Sequence, residues 1–82
     1  MFLWFTNFVA AQIALAQINQ NMGLPSGNTQ TWSQIFVSCD GSTWFFRKPR
    51  HAAQMAGVDP ASYTEHTKTE TDALRCPDPN QP

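Results

Sequence analysis

The sequence predicts an α+β mini-domain in which an N-terminal amphipathic helix lies on an antiparallel β-hairpin, followed by a less regular C-terminal arm. Three observations carry this expectation. Apolar residues recur at helical spacing through the first quarter of the chain, two aromatic runs flank Asp40-Gly41, and regular patterning fades after Pro49.

The helix rests on Phe8, Ala11, Leu15, Ile18 and Met22, spaced three, four, three and four apart, with Gln12, Gln17, Asn19, Gln20 and Asn21 elsewhere on the cylinder. Its stop is Gly23-Leu24-Pro25: glycine supplies a left-handed cap, leucine folds back on the last turn, and proline forbids continuation. A second stripe of Phe2, Phe5, Val9, Ile13 and Ala16 runs along nearly the opposite side of the same predicted helix. A helix with two apolar sides implies either burial in a larger core or contact with a second copy of the chain, and the scarcity of other core residues favours the second copy.

The polar connector PSGNTQT leads into QTWSQIFVSCDGSTWFFRKP. Asp40-Gly41 is a hairpin signal, because the two central residues of a type I′ turn need positive φ. With those two residues as the loop, Ile35, Val37, Trp44 and Phe46 share one face, and Trp32, Phe36 and Phe45 share the other with Gln34 and Arg47. A longer loop shifts the register by one and redistributes the faces. Either pairing leaves a ribbon apolar on both sides, which needs a further strand, the C-terminal segment or a partner packed on it. Phe2, Phe5, Val9, Ile13, Trp32, Phe36 and Phe45 are therefore the expected interface residues of a homo-oligomer.

After Pro49, a short helix is expected over His51 to Ala56 with Gly57 as its stop, and Asp59-Pro60 reads as an N-cap followed by proline at the first helical position. Residues 61–75 suit a strand by their threonines and a helix by their start. Residues 1–75 form one domain, and 76–82 a proline-rich tail without a core-forming residue.

With 82 residues and a net charge of −1, the chain is one small domain with no general attraction to polyanions. No charged residue or histidine precedes Asp40. The uncharged N-terminal segment lacks the basic n-region of a signal peptide, and Thr6, Asn7 and Gln12 interrupt its apolar run, which also argues against a membrane span. Cys39, His51, His66 and Cys76 show none of the close pairing of zinc ligands, and the four glycines form no phosphate loop, so neither metal nor cofactor is expected. No local motif selects a nucleophile, and the expectation is a non-enzymatic protein. Cys39 and Cys76 are two free thiols in a reducing cytosol and a disulfide outside it.

The best local case for ligand binding is Trp44, Phe45, Arg47, Lys48, Arg50 and His51, where cations beside rings could hold phosphates while bases stack. Nucleotide or nucleic acid is therefore the alternative partner. The succession from the Ala/Gln-rich helix through NMGLPSGNTQTW to DGSTWFFRKP, residues 8–49, resembles small proteins encoded by tailed bacteriophages. That resemblance transfers no catalytic motif. It implies a viral context, a structural or accessory component located in the virion or the host cytoplasm.

Overall fold

The computed structural model describes residues 1–23 and 34–76. The elements run β1 (Phe2–Phe5), α1 (Phe8–Asn21), β2 (Phe36–Val37), β3 (Trp44–Arg47), α2 (Arg50–Met55), a 3₁₀ turn (Pro60–Ser62), β4 (Thr64–His66) and α3 (Lys68–Asp72). The fold is α+β, as expected. The four strands form one antiparallel sheet in the order β2-β3-β1-β4.

The N-terminus departs from expectation. Phe2 and Phe5 belong to a strand that lies inside the sheet, with Leu3 opposite Phe46 on one side and Glu65 on the other. Phe-Leu-Trp-Phe is a run of large β-formers, and its alternation buries Leu3 and Phe5 on one face while Phe2 and Trp4 take the other. Asn7 then starts α1, its side chain accepting a hydrogen bond from the Ala10 N–H at 3.1 Å. The helix buries Ala11, Ala14, Leu15, Ile18 and Asn19, and it ends at Met22 with Gly23 at φ 74°. Leu24, Pro25, the connector and Trp32 lie outside the described residues.

The hairpin keeps the expected register, with Phe36 opposite Phe45 and Val37 opposite Trp44. Its turn is different. Gly41 alone within it has positive φ, so it is not type I′, and the turn closes through the Gly41 N–H on the Ser38 carbonyl at 3.0 Å. One oxygen of Asp40 accepts from the Ser38 hydroxyl at 2.6 Å, the Ser42 hydroxyl at 2.7 Å and the Ser42 N–H at 3.0 Å. These donors to the charged form lower the Asp40 pKa from 3.8 to about 2.

Two layers cover the sheet. Over Leu3, Phe5 and Phe46 lies the main core, closed by α1, Ala53 of α2, Val58 and Tyr63. The opposite face carries an aromatic row in which Phe45 packs edge-on against Phe2 and stacked against Phe36. The C-terminal arm closes that side: the Cys39 N–H donates to the Leu74 carbonyl at 2.7 Å, Arg75 sits 4.9 Å above the Phe36 ring, and Cys39 and Cys76 form a disulfide. Cys76 thus belongs to the domain and not to the tail. The choice between strand and helix for 61–75 resolves as both in succession, because the capping box of Thr67 and Glu70 ends β4 and opens α3.

The bridge spans 37 residues, so its loss is expected to lower stability by about 4 kcal/mol, read from urea unfolding of Cys39→Ser/Cys76→Ser. Asp40 supplies a separate, pH-dependent contribution. Its folded-state pKa is depressed, so the contribution is complete above pH 3.8 and disappears as pH falls through about 2. Unfolding midpoints measured across that window should fall less steeply for Asp40→Asn than for the unsubstituted chain.

Candidate functional site

A polar cluster joining three elements lies where β4 meets α3. Thr64 and His66 are two apart on one strand and so share a face, the face that also carries Trp4. The His66 ring stacks on the Trp4 indole with centroids 3.5 Å apart and planes 16° apart. Its Nε2 lies 2.7 Å from Thr64 Oγ1, and its Nδ1 lies 3.2 Å from Glu70 Oε2. With the proton on Nδ1, the ring donates to the carboxylate and accepts from the threonine hydroxyl.

Glu70 is fixed by the start of α3. Its other oxygen accepts from the Thr67 N–H and the Thr67 hydroxyl, both at 3.0 Å, completing the capping box. The Thr67 donors and His66 lower the Glu70 pKa, so the carboxylate stays ionised. Trp4 is fixed as well: its indole N–H donates to Thr71 Oγ1 at 2.9 Å, and that buried hydroxyl donates in turn to the Thr67 carbonyl at 2.8 Å. Beside this network opens a cleft of about 170 Å³, lined among others by Trp4, Phe5, Thr6, Thr43, Tyr63 and Thr64. The Tyr63 hydroxyl is buried without a hydrogen-bond partner among the described residues.

The basic-aromatic segment singled out in the sequence does not assemble into a stacking platform. Phe45 and Phe46 are fully buried on opposite faces of the sheet, and Trp44 is half-buried against the core with its ring 6.4 Å from Phe8. Lys48 is buried too, its Nζ 4.0 Å from Met22 Sδ, and burial pushes its pKa below the usual lysine value. Arg47, Arg50 and His51 are exposed; the Arg50 backbone N–H donates to Glu65 Oε2 at 2.9 Å.

The expected interface set divides. Phe5 and Phe45 are buried within the chain, while Phe2 and Phe36 pack on Phe45, because β1 is a strand and the C-terminal arm covers the second face. Val9 and Ile13 remain outside, 57% and 55% exposed on α1. They adjoin a shallow groove of about 240 Å³ between α1 and the segment Val58–Ser62, lined by Ala10, Ile13, Ala14, Gln17, Val58, Asp59 and Ser62.

Trp4, Thr64, Glu70 and Thr71 were not singled out by sequence reasoning, and His66 entered only as a zinc-ligand type without a close partner. One signal was present: Thr67-Lys-Thr-Glu70 is a capping-box pattern, which places Glu70 one turn from His66. No family model, curated protein or solved structure matches the chain. Among the described residues, no helix is long and apolar enough to cross a membrane.

Phe46→Ala is expected to cost about 3 to 5 kcal/mol, more than Trp44→Ala, since only Phe46 is wholly enclosed. The ranking is checked by chemical denaturation. Tryptophan fluorescence titrated with a single-stranded oligonucleotide should show no salt-sensitive quenching, because the rings of the basic segment are occupied in packing.

Proposed function

We propose that this chain is a small interaction protein that self-associates through the outer side of α1, a structural or accessory component of the kind found in tailed bacteriophages. The observation that carries the reading is the exposure of Val9 and Ile13 beside the α1 groove. A ridge adjoining a groove on one surface is self-complementary under a two-fold axis, with the ridge of each copy entering the groove of the other. The α1 side of that surface is uncharged, since the first charged side chain in the sequence is Asp40, so no like-charge repulsion between side chains opposes the approach of two helices.

The viral context rests on the resemblance over residues 8–49. The disulfide supports a virion or other oxidising location over the host cytoplasm, because paired cysteines persist outside reducing compartments. The nucleotide-binding alternative loses support from the burial of Phe45 and Lys48.

Solution mass by light scattering tests the proposal. The unsubstituted chain is expected to exceed monomer mass as concentration rises, and Ile13→Asp to remain monomeric with an unchanged melting temperature, since position 13 is exposed within one chain. A monomer mass at every concentration would refute self-association. A dimer indifferent to Ile13→Asp would move the interface elsewhere.

A further inference from the structure

We propose that Thr64, His66 and Glu70 form a hydroxyl–imidazole–carboxylate relay that makes Thr64 a nucleophile toward small acyl esters. The inference rests on a serial geometry: Thr64 Oγ1 is 2.7 Å from His66 Nε2, and His66 Nδ1 is 3.2 Å from Glu70 Oε2. Each partner is within reach of the next in the order that nucleophilic hydroxyl chemistry requires, with the carboxylate fixing the tautomer that leaves Nε2 free to accept a proton. Three further features bear on the assignment. The Trp4 ring holds the imidazole flat by stacking at 3.5 Å, the capping box holds Glu70, and Thr64 lines the cleft beside Trp4 and Phe5.

The reaction balances without a cofactor. Thr64 Oγ1 adds to the ester carbonyl carbon while its proton moves to His66 Nε2. The tetrahedral adduct collapses, the alkoxy oxygen leaves, and it takes that proton as the alcohol. Water then gives a proton to Nε2 and adds to the acyl-threonine, and departure of Thr64 Oγ1 returns the proton to the threonine and releases the carboxylic acid. β4 is an edge strand, and an N–H on its outer side, unused by the ladder, is the donor assigned to the carbonyl oxygen. The cleft of about 170 Å³ beside Thr64 has room for a short acyl group. This relay lies on the face of the sheet opposite α1 and is independent of self-association.

The full disulfide-bonded chain incubated with 4-nitrophenyl acetate tests the relay. Expected are release of 4-nitrophenol above that of an equal concentration of imidazole, and an acetyl group on Thr64 in peptides from acid-quenched samples. Thr64→Val should abolish both, and Thr64→Ser should keep both. His66→Gln should lower kcat/KM by about 10²-fold or more. Glu70→Gln, which can still cap α3, should lower the rate and keep the melting temperature. Hydrolysis no faster than imidazole, acetyl groups found only on His66 or lysines, or a Thr64→Val chain that melts normally and retains the rate would each overturn the proposal.

Discussion

Everything in this fold depends on covering both faces of β1. The four residues Phe2–Phe5 sit inside the sheet, bonded to β3 on one side and β4 on the other, and each alternate pair of side chains needs its own apolar layer. Leu3 and Phe5 obtain theirs from α1, which follows at once in sequence. Trp4 obtains its cover from His66 of β4 and Thr71 of α3, near the far end of the described chain, while Phe2 packs edge-on against Phe45 of β3 in the same layer. A sheet whose central strand pairs with residues 44–47 and 64–66 is built from non-local contacts, so the loop-closure entropy must be met before the core forms.

The C-terminal layer is thin, and several small contacts together hold it. A five-residue helix is not stable by itself. α3 persists because the capping box sets its start, the Trp4 indole bonds Thr71, and the residues after it are tied to the hairpin by the Cys39 N–H and the disulfide. The bridge joins the turn between β2 and β3 to the end of the arm. It fastens the one layer that has no long helix in it, where a domain of this size has too little apolar surface to hold every element by burial alone.

How legible this was in the sequence follows from the length of each signal. α1 announces itself over four turns, and its stop at Gly23 is a strong local rule, so both were readable. The hairpin register was readable because Asp40-Gly41 fixes the loop position, although the serine-carboxylate network selects another turn type. β1 was not readable as a strand: over four residues a period of two cannot be told from a period of 3.6, and Phe2 and Phe5 happen to continue a helical stripe through Val9 and Ile13. The break was present in Thr6-Asn7, whose asparagine is the N-cap. The polar cluster was least legible of all. Its partners come from β1, β4 and α3, and only the pairing of Trp4 with Thr64 across two strands brings them together.

The outer side of α1, where we propose self-association, is uncharged and partly apolar. The helix has no acidic residue in its first turn and no basic residue in its last, so no charge of its own end turns offsets its macrodipole. Among the described residues its buried Asn19 has no hydrogen-bond partner for either side-chain oxygen or nitrogen, a cost of about 1 to 3 kcal/mol. Exposed positions near its start are where glutamate would help most, by propensity and by charge. Val9, in the first turn, occupies such a position and Ile13 lies one turn further on; both are exposed β-branched residues of lower helix propensity. Stability of the isolated chain does not explain that choice. Val9 and Ile13 instead keep an uncharged, apolar ridge on the outer side of α1, the ridge on which the proposed self-association relies.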